Sequence, residues 1–203
     1  MIKADREYRS FAIQKRDDEE ANKYIVEGYA STFDRYPLLE MDGETYYEQI
    51  DRHAFDETDM SDVVFLLDHA GRVYARTKNN SVELSIDEKG LWTRTDLSRT
   101  ESARQVAEDI EVGNYSQMSF AFIVDEDHFD RKTKTRCIDK VKKVFDISAV
   151  GFPANPYTNI GVSMRDYFNG EIELEKAERL AAEKRQRELD KLKLKLRLME
   201  ETL

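Results

Sequence analysis

The sequence predicts an α+β chain that is mainly β: an antiparallel barrel, closed or nearly closed, with flanking helices and a long C-terminal helix. Three observations predict it. Six short β-branched or aromatic runs recur between turn residues over the first 150 positions. One amphipathic stretch with its own start and stop signals interrupts them. From Glu171 onward the composition shifts to Glu, Lys, Arg, Leu and Ala, all good helix formers, with no Gly or Pro among them.

Taken in order, the runs are Tyr24 to Ser31, Val63 to His69, Val82 to Ile86, Leu91 to Leu97, Met118 to Val124 and Val144 to Val150. Asp87-Glu88-Lys89-Gly90 is turn chemistry between two of them. The interrupting helix opens at Ser98-Arg99-Thr100-Glu101, which resembles a capping box. Ala103, Val106, Ala107 and Ile110 form its apolar stripe, and Gly113-Asn114 supplies the stop. A shorter helix is expected over Asp51 to Thr58. Seven of the 8 Gly and all 3 Pro precede residue 170, which sets the division at 1–170 for the β domain and 171–203 for the helix. Leu189, Leu192, Leu196, Met199 and Leu203 recur at heptad-like spacing, so this helix docks either on a partner chain or on its own body.

Composition narrows the function. Apolar residues make up 40% of the 203, with 10 Phe and 10 Tyr, which is enough for a core. The net charge is −10, and since 171–203 carry nine acidic and nine basic side chains, all of it falls on the first 170 residues. An acidic domain without clustered Lys and Arg argues against a nucleic-acid partner. No apolar run approaches the roughly 18 residues of a membrane helix, and the N-terminus lacks a signal-like apolar region, so no membrane partner is expected. The single cysteine, Cys137, allows no intrachain disulfide and suits a reducing cytoplasm.

Only three histidines can serve as an imidazole base. His69 closes the apolar run Val63-Val64-Phe65-Leu66-Leu67-Asp68-His69, on the face of Val63, Phe65 and Leu67; it either caps a strand end or carries chemistry. His53 lies in a polar stretch at the expected helix start and reads as structural or solvated. His128, in Asp125-Glu126-Asp127-His128-Phe129-Asp130, reads as part of a solvated hairpin tip, because the carboxylates lack the glycine and terminal glutamate of a calcium loop. No metal or other cofactor is expected. Met118, Phe120, Phe122 and Val124 alternate toward a core, which turns Ser119 to the opposite face beside small Ala121. Asp146 interrupts an apolar strand, where a carboxylate needs a hydrogen-bonded partner or solvent. A serine, an imidazole and a carboxylate are the groups of nucleophilic acyl transfer: the base takes the hydroxyl proton and the carboxylate holds the base. Composition permits such a meeting and does not by itself establish it. Cys137, in Lys134-Thr135-Arg136-Cys137-Ile138, reads as a strand-flank residue of no special reactivity; the remote alternative is a nucleophile with its pKa lowered by basic neighbours.

An ordered set of motifs then resembles the prohead proteases of tailed bacteriophages, the HK97 type. It comprises Glu27-Gly28-Tyr29-Ala30-Ser31-Thr32-Phe33, Tyr47-Glu48-Gln49-Ile50 leading to Ala54-Phe55, and Phe65-Leu66-Leu67-Asp68-His69. Gly90-Leu91, Gly113 to Phe122 around Met118-Ser119-Phe120, and Asp146-Ile147-Ser148-Ala149-Val150 with Pro153-Ala154 complete it, over roughly residues 24–160. The resemblance implies an assemblin-like β-barrel serine protease, related to those of herpesviruses. It implies action inside the assembling procapsid of the host bacterial cytoplasm, on the scaffolding segment of the major capsid protein and often on the protease itself. Carried over by position, Ser119 matches the nucleophile, His69 the base and Asp146 the acidic third member, where many relatives have Glu. An Asp is shorter by about 1.5 Å. His53 stands where relatives usually show glycine and inherits no role. The oxyanion donors of such folds fall on Gly151 to Asn155, of which Pro153 has no N–H to give. A catalytically silent assembly or scaffolding factor with the same barrel is the competing reading.

Overall fold

The computed structural model describes residues 6–13, 23–151 and 161–200, and the C-terminal helix at side-chain level from 164 to 193. The described chain is mainly β with two α-helices, in two compact units, 1–160 and 161–203. The strands are β1 (Glu7–Ala12), β2 (Ile25–Thr32), β3 (Tyr36–Met41), β4 (Glu44–Ile50), β5 (Val64–Leu67), β6 (Ala70–Arg76), β7 (Val82–Ile86), β8 (Gly90–Asp96), β9 (Gln117–Asp130) and β10 (Thr135–Val150). Helix α1 (Glu101–Glu111) lies between β8 and β9, and α2 (Gly161–Glu200) forms the second unit, running straight through Gly170.

The larger sheet has the order β1-β9-β10-β4-β3, and the smaller is β2-β8-β7. Strand β10 organises the larger sheet. It is antiparallel to β9 along one side, while its other side pairs in parallel first with β4, through Thr135 to Ile138, and then with β5, through Asp146 to Ala149. Strand β6 continues outward from β5. Among the described residues no ladder joins the two sheets, so the closed barrel expected from the sequence is replaced by two open sheets. What unites them is one core. Val26, Ala30, Val82 and Leu91 of the small sheet share it with Phe65, Met118, Phe120, Phe122, Val144 and Ile147 of the large one, and with Ala103, Val106, Ala107 and Ile110 of α1.

Local chemistry explains the elements. Leu91, Thr93 and Thr95 alternate inward along β8. Gly90 begins that strand because a Cβ there would lie 2.0 Å from the Ser31 carbonyl oxygen across the ladder. The cap of α1 is Thr100 rather than Ser98: its hydroxyl accepts the Ala103 N–H at 3.2 Å. At the other end Gly113 takes φ +90°, its N–H reaching Ile110 and that of Asn114 reaching Asp109, a Schellman close. The helix expected over Asp51 to Thr58 is instead a run of turns, with Ala54 N–H bonded to Asp51, Asp56 to His53 and Thr58 to Phe55. Three-residue spacing of these bonds, with Asp51 and Asp56 side chains bonding locally at His53, favours turns over a propagating helix.

Four strands of the large sheet are also joined by ions, and a fifth by a tyrosine hydroxyl. Glu48 of β4 and Arg9 of β1 form a two-pronged pair, with Arg9 Nη2 2.6 Å from Glu48 Oε2. Arg136 of β10 reaches Glu48 Oε2 at 3.1 Å, grips both oxygens of Glu7, and bonds Asp127 of β9. Tyr36 of β3 donates to Glu48 Oε1. Glu48 has 0% exposure, so the network is desolvated at its centre. Such groups contribute through being mutually satisfied, and removing one member strands the rest.

Two outcomes follow from the network. Glu48→Ala is expected to lower unfolding free energy by about 3 kcal/mol, since it takes the central carboxylate from the buried Arg9 and Arg136 and leaves Glu7 and Asp127 as their acidic partners; urea denaturation of both proteins measures it. Burial alone would raise the Glu7 carboxyl, but hydrogen bonds from Arg136 and the nearby charges of Arg9 and Arg136 hold it below its ordinary 4.5. A folded value below the unfolded one stabilises the protein fully above pH 4.5 and is lost as pH falls through the folded value. The stability difference between the wild type and Glu7→Gln should therefore shrink on acidification below that point, and a gap that stays constant with pH would refute it.

Candidate active site

His69 does not sit at the end of its strand but in the turn after it. Leu67 of β5 and Ala70 of β6 face each other, so Asp68 and His69 are the two central residues of a tight hairpin. Both have left-handed backbones, φ +47° and +56°, as a type I′ turn demands. Non-glycine residues there are costly and need outside support. Asp68 supplies it: its N–H bonds the Ala149 carbonyl at 3.0 Å, and its Oδ1 accepts the Gly151 N–H at 3.2 Å. The turn is thus pinned at both sides of the end of β10.

Register brings the other two groups beneath it. Ser119 of β9 stands directly opposite Ser148 of β10, with Ser10 of β1 on its other side. Asp146 is two residues along β10 from Ser148, on the same face, opposite Ala121, whose small side chain leaves room above the sheet. The result is a chain of two short hydrogen bonds. His69 Nδ1 is 2.6 Å from Asp146 Oδ1, and His69 Nε2 is 2.6 Å from Ser119 Oγ. The short aspartate reaches because β5, which carries the histidine turn, is hydrogen-bonded to β10 with Val64 opposite Asp146. Asp146 is 3% exposed and Ser119 0%. The Tyr8 ring of β1 stands edge-on to the imidazole, centroids 4.5 Å apart.

With Nδ1–H donated to the carboxylate, Nε2 is left as the acceptor for the serine proton, the tautomer that general-base catalysis requires. A hydroxyl, an imidazole and a carboxylate in this order define a serine-type hydrolase geometry. The caudovirus prohead serine protease family matches residues 10–172, and the chain belongs to that family. It is a serine protease. The solved capsid assembly protease of bacteriophage T4 is similar in structure at a TM-score of 0.40 and 8% identity, over 73% of this chain and 98% of that one. No curated protein matches the chain.

The remaining sequence candidates separate from this site. His53 is solvated, its Nδ1 3.1 Å from Asp56 in the turns. His128 is not at a hairpin tip; it lies within β9 and meets Asp139 of β10 at 2.7 Å, because the strands extend to Asp130 and Thr135 and the tip is the turn between them. Among the described residues no cluster of His, Cys, Asp and Glu can hold a metal ion. Cys137 faces His128 in register, but its thiol is pushed up, first by burial and then by Asp139, Asp130 and Asp51. The remote alternative of an activated thiol finds no support here, because burial and these carboxylates, rather than the basic neighbours in sequence, act on the sulfur. Of the segment expected to bind the oxyanion, Gly151 has its N–H turned to Asp68, and Phe152 to Asn155 lie outside the described residues.

Sequence reasoning missed three residues that touch the site: Ser148, Asp68 and Tyr8. Ser148 carried a usable signal, since it shares a strand face with Asp146. Cys137→Ser is expected to leave peptide cleavage within about twofold of wild type, and a large loss in kcat/KM would bring the thiol back into the chemistry.

Proposed function

We propose that the chain is an endopeptidase that cuts the scaffolding segment from the major capsid protein, and also cuts itself, as the procapsid matures in the host bacterium. Membership of the prohead serine protease family supports the substrate class. The observation that supports the residues is the pair of 2.6 Å hydrogen bonds linking Ser119, His69 and Asp146. In this reading the two open sheets and their common core are a variant of the assemblin-like barrel.

Each group then has a defined task. Ser119 Oγ attacks the scissile carbonyl carbon as His69 Nε2 takes its proton, and Asp146 stabilises the imidazolium. When the tetrahedral intermediate collapses, the C–N bond breaks and His69 passes that proton to the leaving amine. Water, deprotonated by His69, attacks the acyl-enzyme ester and restores Ser119. Backbone donors after β10 are the expected partners of the oxyanion, each worth about 100- to 1,000-fold in rate.

The silent assembly factor is the second reading, and one observation favours it: Ser119 has 0% exposure. A substrate carbonyl must come within about 3–3.5 Å of the hydroxyl oxygen, so peptide entry has to displace a neighbour. Intact-mass measurement of the major capsid protein, made together with the wild type or with Ser119→Ala, separates the two. A shortened capsid protein with the wild type alone supports the protease with Ser119 as its nucleophile. Full-length protein in both samples, with shells formed, supports the silent factor. Asp146→Asn is expected to cut kcat by about 10,000-fold with the fold retained, because the carboxamide favours the wrong imidazole tautomer; near-normal turnover would assign the orienting role elsewhere.

The second unit has a role of its own in this proposal. Leu174, Leu180, Leu189 and Leu192 of α2 are exposed apolar positions on a helix rich in charge, suited to docking on capsid or scaffold protein. Removal of residues 171–203 is expected to spare cleavage of a short peptide but reduce incorporation into shells. Equal incorporation would dismiss the docking role.

A further inference from the structure

We propose that Ser148 is a fourth, positioning member of the site, holding Asp146 ionised and aimed at His69. The inference rests on the reading of Ser119, His69 and Asp146 as the catalytic groups, and it concerns what keeps the carboxylate competent.

The geometry is specific. Ser148 Oγ lies 2.8 Å from Asp146 Oδ1, the same oxygen that takes His69 Nδ1 at 2.6 Å. Ser148 is entirely buried and Asp146 nearly so. Two donors therefore converge on one oxygen of a carboxylate with almost no access to water. A buried carboxylate favours its neutral form unless hydrogen bonds support the charge. Neutral Asp146 would neither attract an imidazolium nor hold the Nδ1–H tautomer. Among the described residues no Lys or Arg pairs with Asp146, so the Ser148 hydroxyl is the donor that supports its charge when His69 is itself neutral.

Backbone register explains why serine suits the position. Residues 146 and 148 share a face of β10, so a side chain one hydroxyl long reaches its neighbour's carboxylate along the strand. Ser148 also stands directly across from Ser119, and its Oγ–H donated to Asp146 leaves it no proton to offer the nucleophile's oxygen. The hydroxyl thus serves the carboxylate without competing with His69 for Ser119. The groups facing the trio from adjoining elements are few. Val64 of β5 and Ala121 of β9 flank Asp146 without charge, Tyr8 of β1 packs on His69, and the Asp68 carboxylate is engaged with the Gly151 N–H.

Loss of the hydroxyl leaves Asp146 with one donor and makes its charge costlier beside a neutral imidazole, so the His69–Asp146 pair keeps its shared proton to higher pH. The His69 midpoint should rise, and with it the acid limb of kcat/KM. The test has two arms. In the first, the His69 ring is titrated by NMR in the Ser119→Ala chain, with and without Ser148→Ala, so no cleavage is needed to read it. The expected result is a rise of about half to one pH unit on losing the hydroxyl. An unmoved midpoint overturns the proposal. In the second arm, peptide cleavage by Ser148→Ala is expected to fall about 10-fold in kcat with KM retained, and Ser148→Thr to restore both rate and pH profile. A fall in rate with an unshifted acid limb would mean a packing defect only, and would overturn it too. Failure of the parent reading shows differently, as cleavage that survives Ser119→Ala.

Discussion

The antiparallel ladder between β9 and β10 is the constraint on which the rest depends. It sets Ser119 opposite Ser148, and Asp146 opposite Ala121, so that the hydroxyl and the carboxylate emerge on one face. A slip of one residue would turn either side chain to the opposite face of the sheet and bring an apolar neighbour, Met118 or Phe120 for instance, in its place. The same strand β10 lends its other edge to β5, whose following turn carries His69. Three groups far apart in sequence thus depend on the pairing of a single strand.

Around this ladder the protein places its polar groups where water does not reach. The Glu48, Arg9 and Arg136 network ties the outer strands of the sheet together, and every central member has an opposite charge at hydrogen-bond distance. The hydrogen-bonded trio is similarly dry, with Asp146 and Ser119 both buried. Low local dielectric strengthens a satisfied network and penalises a broken one, which favours a single geometry for the imidazole. The strained Asp68-His69 turn fits this pattern. Its two left-handed residues are held because Asp68 is bonded on both sides to the end of β10.

Much of this was legible in the sequence where apolar pattern carried the information. The runs around β2, β5, β7, β8 and the apolar halves of β9 and β10 were readable, as was the stripe of α1 down to its four buried residues. Strands β1, β3 and β4 were not, because Arg9 and Glu48 are buried, and Glu7 and Tyr36 half-buried, through ion pairs and hydrogen bonds rather than through hydrophobicity. The outer halves of β9 and β10 carry alternating charges and resemble a loop; cross-strand pairs such as Lys140 with Glu126 make them a ribbon. Face alternation singled out Ser119, and the break in an apolar strand singled out Asp146. Their meeting with His69 was not readable from residues alone, since it requires a parallel β5–β10 pairing and a turn of left-handed residues. Both are long-range facts that periodicity does not encode.

The central claim is that Ser119 is activated by His69 and Asp146. Reaction of the chain with a fluorophosphonate, followed by peptide mapping, tests it most directly, because such reagents modify a serine only when a neighbouring base raises its nucleophilicity. The account predicts a single adduct, on Ser119, that disappears in His69→Ala while that variant remains folded. An adduct on another residue, or undiminished labelling of Ser119 without His69, would contradict it.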